Sequence, residues 1–495
     1  MNTMAILGIE NKRIVLFGAG YCGRKWLEVL SKLDIDVEAF IDNDKEKHGQ
    51  YISGVPVFSL DEILENDTTY TFVISVENSA DIIRNQLVNA GIKESNIIML
   101  DDLYNSKHLC RLIESKIIDI ENYMKGSIPV YVQADISFSV FYDDQAFAMQ
   151  KYGGISRCFF ELAEGLERYG NIGVYIYKGV NISGFKFGSG IHDLFSYSAD
   201  EEPLFDYRIR QKINRDILRQ YFSSNPKFDI YHPTYYGDYG LANYKKKIIT
   251  VHDMIHELFG LDKKTIEEKK KMVESADGII AVSENTKRDL IDILNVPEEK
   301  IKVIHHGNSL NYNVSSERLI KEPYLLYVGE RGGYKNCDTL LRAFAECTHN
   351  NDIKLICFGG GKFRASELEL IKNLGILRSV EQIGGDDTVL ANLYAYAELF
   401  IYPSKYEGFG IPLLEAMHYG TPIITGDTSS MPEVAGDAAE YFNPDSYEDL
   451  RDCIDCLLDD KLLRNQYVEK GYKQKKLFSW DKTVMETYDY YKSFL

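Results

Sequence analysis

The sequence predicts an α/β protein made of three units, and three observations carry that expectation. Apolar runs at 13–17, 324–329 and 397–402 have the length of buried strands, and each leads through glycines into a helix-forming stretch. Further runs at 229–232, 248–251 and 278–282 alternate with helical patterns, as in a parallel sheet with helical crossovers. The 495 residues leave room for three domains of ordinary size, each able to bury a core.

The first unit is expected over 1–104. Gly18-Ala19-Gly20-Tyr21-Cys22-Gly23 is a full GxGxxG that follows the strand at 13–17 and opens a helix. A second strand at 37–41 ends in Asp42, so the spacing is that of a dinucleotide fingerprint, with Asp42 placed to accept a ribose hydroxyl. At ordinary element lengths about four strands fit before Met99, which leaves no second mononucleotide half. Three readings stay open for Gly18, Gly20, Gly23 and Asp42: a nucleotide sugar or related ligand, NAD as the less favoured cofactor, or a scaffold that binds nothing. Asp42-Asn43-Asp44 is also an Asp-x-Asp, but the preceding glycines speak for a nucleotide cradle rather than a metal site. A helical linker is expected at 105–127.

The densest signal is Glu407-Gly408-Phe409-Gly410-Ile411-Pro412-Leu413-Leu414-Glu415. Pro412 suits the first turn of a helix, where a missing N–H costs nothing. Gly408 and Gly410 remove side chains between backbone and ligand, and the helix start aims free N–H groups where a diphosphate can sit. Glu407 can reach sugar hydroxyls, and Glu415 lies in the first helical turn, where it can hold a ribose. A plain strand, glycine turn and helix with two solvated glutamates is the alternative. The stretch Gly329-Glu330-Arg331-Gly332-Gly333-Tyr334-Lys335-Asn336 repeats the pattern before a helix at 337–346, and places Arg331 and Lys335 at a second helix start. Two cations and two helix starts can neutralise a departing diphosphate without a metal, each charge-assisted hydrogen bond contributing roughly 1.5–3 kcal/mol.

Gly153 and Gly154 form a turn before an amphipathic helix at 155–169, either a close backbone approach to phosphate or a structural turn. His252 ends the strand at 248–251, where open α/β sheets bind ligands. Ser283 reads as the cap of a helix at 284–294. His305 and His306 have no third ligand suitably spaced, so no metal is expected.

From about Ile136 onward these motifs, in this order, resemble retaining glycosyltransferases of the GT-B fold, in the large family four of bacterial polysaccharide assembly. The resemblance implies an acceptor-side domain over 128–315, a donor domain over 316–478 and a last helix over 479–495 that crosses back. It implies transfer of a hexose from a nucleoside-diphosphate sugar to a hydroxyl of a surface-polysaccharide or lipid-linked glycan. Gly153, Gly154, Gly408, Phe409 and Gly410 would surround the donor, with Glu415 on its ribose. Arg331 and Lys335 would stabilise the diphosphate, Glu407 would orient the sugar and His252 would contact it from the opposite domain. In the same-face mechanism assigned to such enzymes the donor phosphate accepts the proton, so no protein base and no cofactor are demanded. Family tendencies favour mannose. Asn308 and Glu330 depart from the family pattern, which puts local donor contacts in doubt. The run Gly54-Val55-Pro56-Val57 resembles the small Rossmann-like domains of bacterial sugar acetyltransferases, whose pocket is associated with a nucleotide sugar.

Composition agrees. A net charge of −19 argues against a nucleic-acid partner. Eight cysteines without a signal sequence suggest a reducing cytoplasmic setting, and Cys453 and Cys456, the one CxxC, read as ordinary helix positions. No apolar run is long enough to span a bilayer, so any contact with the inner face of the cell membrane would be peripheral. The stretch 208–222 interleaves Arg208, Arg210, Lys212, Arg215 and Arg219 with apolar residues and suits either such a contact or a solvated helix packed on its apolar side. Two rival functions remain: an NAD-dependent sugar-nucleotide oxidoreductase working through the first domain, and a noncatalytic glycan-binding scaffold. Lys335, Glu407 and Glu415 together speak against the scaffold.

Overall fold

The computed structural model describes residues 13–32, 35–66, 69–76, 80–99, 136–169, 171–199, 207–224 and 227–495; the linker expected at 105–127 lies outside them. The chain divides into two compact units, Met1–Pro129 with Gly179–Ile182 and Phe195–Ile217, and Val130–Lys178 with Ser183–Leu194 and Leu218–Leu495.

The first unit holds a sheet of β1 (Ile14–Phe17), β2 (Val37–Ile41), β3 (Tyr51–Ile52), β4 (Val55–Phe58), β5 (Thr71–Ile74) and β6 (Ile97–Met99), in the order β3-β4-β2-β1-β5-β6. All four residues of β1 are buried, as the continuous apolar run of a strand covered on both faces requires. The sheet has six strands where about four were expected. The extra ones are hard to see in sequence: β3 is two residues long, and β4 carries Pro56, which withdraws a ladder donor and reads as turn. Ser53 and Gly54, both at positive φ, make the turn between them and pair β3 with β4 antiparallel.

The next sheet contains β7 (Phe138–Tyr142), β8 (Ile172–Asn181), β9 (His192–Ser198), β10 (Phe228–Tyr231), β11 (Tyr244–Val251), β12 (Gly278–Ala281) and β13 (Ile301–Val303), ordered β13-β12-β11-β10-β7-β8-β9. The last contains β14 (Tyr324–Val328), β15 (Lys354–Phe358), β16 (Val380–Ile383), β17 (Leu399–Tyr402), β18 (Ile423–Gly426) and β19 (Ala439–Phe442), ordered β16-β15-β14-β17-β18-β19. Its strands pair parallel throughout. Both orders reverse at their first strand, between β7 and β10 and between β14 and β17. Crevices for ligands open at such reversals, beyond the carboxyl ends of the strands. The protein is thus α/β, with two such sheets after a smaller one, as the sequence predicts.

The last helix, Trp480–Lys492, lies against the helix Gly154–Glu167 and the β7–β13 sheet. Tyr491 is fully buried, its hydroxyl 3.0 Å from that of Tyr142 and 2.5 Å from His232 Nδ1. Gly165 has no side chain because Val484 fills that space.

The basic stretch forms the helix Tyr207–Ser224. Its apolar residues Ile209, Ile213, Ile217 and Leu218 are buried, and so is Arg210. Those apolar positions are therefore used within the protein rather than offered to lipid. The side chains of Arg208, Tyr221 and Phe222 lie outside the described residues. No helix among the described residues is long and apolar enough to cross a membrane.

Candidate active site

The loops after β14 and β17, which flank the reversal in the last sheet, bring together residues distant in sequence. Lys335 closes a short 3-10 turn, Gly333–Lys335, and Asn336 at positive φ starts the helix Cys337–Glu346. Asn336 Nδ2 donates to the carbonyls of Pro403 and Pro444, tying the first loop to the second. Lys335 Nζ lies 2.8 and 3.0 Å from the two carboxylate oxygens of Glu407. Burial alone would lower the Lys335 pKa, but the Glu407 charge outweighs it and holds the ammonium above its ordinary value. Glu407 is itself buried, with its backbone carbonyl accepting from Ser429 and Ser430.

Arg331 sits differently from the sequence expectation. Its guanidinium donates to the carbonyls of Gly359, Gly360, Gly361 and Lys362 and lies 3.3 Å from Glu367 Oε2. The loop after β15 turns these carbonyls inward because Gly359, Gly360 and Gly361 all have positive φ, which glycine alone adopts freely. In this state the charge of Arg331 is spent on shaping that loop, and Lys335 is the cation at the crevice.

Gly410, with φ near 104°, opens the helix Ile411–Tyr419, with Pro412 in its first turn. Glu415, on that helix, accepts from the Tyr394 hydroxyl at 3.0 Å. Burial pushes its pKa up to about 7, against the lowering effects of Tyr394 and Arg157. Phe409 is buried, edge-on to His306 and Phe478.

The β7–β13 half meets this loop directly. A Cβ on Gly408 would overlap the carbonyl oxygen of His252, and the Gly408 carbonyl accepts from Ser283 Oγ at 2.7 Å and Thr286 Oγ1 at 3.2 Å. Ser283 also caps the helix Glu284–Leu294 by accepting from Thr286 N–H. It is therefore both the structural cap expected and a bridge between the two halves. His252 Nε2 is shielded from solvent and has no hydrogen-bond partner among the described residues, and burial pushes the imidazole down to about 3. His306 stacks on it at 6.0 Å between centroids. His305 turns the other way and pairs with Glu433 at 2.6 Å, so the adjacent histidines face different surroundings.

Gly153 and Gly154 begin the helix Gly154–Glu167. The Gln150 side chain occupies the space a Cβ on Gly153 would take, whereas the space at Gly154 is open. Arg157, one turn on, reaches Asp387 of the β14–β19 half at 2.7 Å.

Several of these groups escaped the sequence reading. Asp387 opens the helix Asp387–Tyr396 directly after its cap Asp386, and Glu433 lies in the short helix Met431–Ala435; neither belongs to a motif read from the sequence. Glu433 accepts from the N–H groups of Glu284 and Asn285 across the cleft. The one available signal was Pro432, which with β18 before it repeats the strand, loop and proline-started helix seen at 399–412.

In the first unit Gly18 has φ near 110° and a Cβ on Gly23 would overlap the Gly18 carbonyl, while Gly20 borders open space. The first and third glycines thus serve the turn and the close packing of the helix Tyr21–Lys32. Asp42 Oδ2 accepts from Ala19 N–H at 2.8 Å and Lys47 Nζ at 2.9 Å, and Oδ1 accepts from Asp44 N–H. Its carboxylate is engaged by the loop itself rather than left open for a ribose. Burial raises the Asp42 pKa, but these donors outweigh it and hold it low.

Comparison with known proteins follows this division. Residues 152–311 match Glycosyltransferase Family 4 and residues 313–474 match glycosyl transferases group 1. The protein is a glycosyltransferase of the GT-B fold. Residues 10–98 of this glycosyltransferase match a separate family, C2185-like, N-terminal. Among curated relatives, O-antigen chain mannosyltransferase B of Escherichia coli is 29% identical over 287 residues, 53% of this chain and 74% of the relative. O-antigen chain mannosyltransferase RfbU of Salmonella typhimurium is 30% identical over 207 residues, 41% of this chain and 57% of the relative. The glycosyltransferase thus spans about three quarters of one relative and little over half of the other. Solved structures with the same fold include a sucrose-phosphate synthase from Thermosynechococcus elongatus, with a TM-score of 0.60 at 20% identity over 72% of this chain and 98% of that one. Anabaena HepE in complex with UDP and glucose has a TM-score of 0.56 at 16% identity, covering 72% of this chain and 100% of that one.

Proposed function

We propose that this glycosyltransferase moves mannose from a nucleoside-diphosphate donor to a hydroxyl of a surface-polysaccharide or lipid-linked glycan, with retention of anomeric configuration and without a metal. The observation that carries the reading is the Lys335–Glu407 pair at the β14/β17 reversal, between two helix starts. A diphosphate leaving group needs positive charge at the moment of bond cleavage. Lys335 supplies one full charge, and the N-terminal end of the helix Ile411–Tyr419 supplies a partial one. Glu407, released from Lys335, would take hydroxyls of the donor sugar, Glu415 the ribose, and the unpartnered Nε2 of His252 a sugar hydroxyl from the opposite half. Arg331 would act at one remove, by keeping the 359–362 loop in place. In this reading the donor phosphate takes the acceptor proton, and these side chains act by orientation and charge. The mannosyltransferases named among the relatives support the choice of sugar. In the first unit, the open space at Gly20 beside a helix start supports a nucleotide-sugar ligand there, with Lys47 giving up Asp42 on binding.

The test is incubation of the full chain with GDP-mannose, and separately with UDP-glucose, in the presence of EDTA and an α-mannose-terminated oligosaccharide. The reading expects release of GDP and a new α-mannosyl linkage by NMR. Release of UDP alone would replace the donor, a β linkage would overturn retention, and loss of activity in EDTA that magnesium restores would overturn the metal-free mechanism.

A further inference from the structure

Beside the Gly153–Gly154 turn, on the acceptor-side half, an aromatic surface is built from two loops and one helix. Tyr152 is 65% exposed, although the chain around it is held. Gly184 N–H donates to the Lys151 carbonyl at 3.1 Å, which ties the 182–190 loop to the residue before Tyr152. The Tyr152 ring lies against Gly184 so closely that a Cβ there would overlap it. It meets Phe185 edge-on at 5.9 Å, and Phe185 stacks on Phe160 of the helix Gly154–Glu167 at 4.8 Å and 23°. An exposed aromatic ring is ordinarily a loss of apolar surface to water, and here it is fixed in place rather than folded away.

The surface is continuous with the cleft. Tyr152 precedes Gly153 and Gly154, the second of which borders open space. Arg157 lies over the Phe185 ring at 6.0 Å and reaches across to Asp387 of the donor half. One edge of the shelf thus carries a cation that already bridges the two halves.

We propose that Tyr152, with Phe185 and Phe160 behind it, is the platform on which the terminal pyranose of the acceptor glycan stacks, an inference that rests on the transferase reading of the cleft. The C–H face of a pyranose is apolar and flat, so it covers a tyrosine ring while its edge hydroxyls stay free to bond polar groups such as Arg157. A fixed ring loses little rotamer entropy on binding, which favours a weak, repeated ligand such as a growing glycan end.

The test is acceptor kinetics and direct binding on the full chain. Tyr152→Ala is expected to raise the KM for an α-mannotriose acceptor about tenfold or more, with the donor KM moving less than twofold, and Tyr152→Trp to keep the wild-type value within threefold. Saturation-transfer NMR with α-mannotriose, β-galactobiose and chitotriose, each without donor, reads binding apart from turnover. Wild type is expected to saturate the ring C–H protons of one of them, and Tyr152→Ala to lose that signal. An unchanged acceptor KM in Tyr152→Ala, or equal rises in acceptor and donor KM, overturns the platform. So does a wild type that cleaves a donor yet saturates none of the three sugars. A wild type that binds a sugar through Tyr152 but cleaves no donor leaves the platform standing and overturns the reading of the cleft.

Discussion

Lys335 and Glu407, 72 positions apart, form a two-pronged ion pair in which Nζ lies within 3.0 Å of both carboxylate oxygens. The Glu407 carboxylate thereby holds the Lys335 ammonium in its charged form although both side chains are largely shielded from water. On the proposed reading, a donor would exchange this pair for two others, ammonium with diphosphate and carboxylate with sugar hydroxyls. Lys335→Ala is therefore expected to lower kcat by about two to three orders of magnitude while the protein stays folded. Initial rates at saturating donor check it, and near-wild-type turnover in a variant with a native circular dichroism spectrum would refute the role.

Glu415 gives a pH dependence with a definite sign. Its folded pKa is raised from 4.5 to about 7, so the native protein holds this proton more tightly than the unfolded chain does. Stability from this group is fullest below pH 4.5 and declines as pH rises toward 7, by at most about 3 kcal/mol. Glu415→Gln should melt higher than wild type at pH 8 and level with it at pH 5 by scanning calorimetry. If Glu415 holds the ribose as proposed, nucleotide affinity should run the other way, rising from pH 6 to pH 8 as its carboxylate forms, and this rise should vanish in the glutamine variant.

Gly408 packs on the His252 carbonyl with no room for a side chain. Gly408→Ala must push the loop after β17 away from the His252 carbonyl at the end of β11. Overpacking of this kind costs about 1–3 kcal/mol, and a displacement near 1 Å costs about a hundredfold in rate. We expect a modest fall in Tm and a disproportionate loss of kcat/KM. A rate loss no larger than the stability change accounts for would count against the contact.

The histidines His232, His252 and His306 are all pushed down to about 3 by burial. Their imidazole signals in two-dimensional NMR should not move between pH 5 and 8. The stability tied to their neutral forms is complete above pH 6.5 and drains away as pH falls toward 3. A midpoint near 6 for His252 would show that its ring is not enclosed.

Much of this protein was legible from local pattern. The helix at 337–346 and the helix at 284–294 with its Ser283 cap have the bounds that periodicity and capping residues indicate. Strand ends, glycine turns and helix starts depend on neighbours a few residues away, and those neighbours are visible in the sequence. The six-stranded first sheet was undercounted because a two-residue strand has too few positions to show a period.

Partnership is another matter. Arg331 and Lys335 share one loop and one local pattern, yet Lys335 faces the crevice and Arg331 turns to the 359–362 carbonyls. Which way each turns depends on the loop after β15, and that loop comes alongside only because β15 pairs with β14. Asp42 is likewise a fingerprint acid by position but is held by Ala19 and Lys47 in space. The contacts of Gly408 with His252 and of Arg157 with Asp387 join loops and helices that belong to the halves built on separate sheets. Local chemistry decides which groups stand at a strand end; strand order and the meeting of the two halves decide which of them touch, because those are long-range properties that no window of neighbouring residues contains.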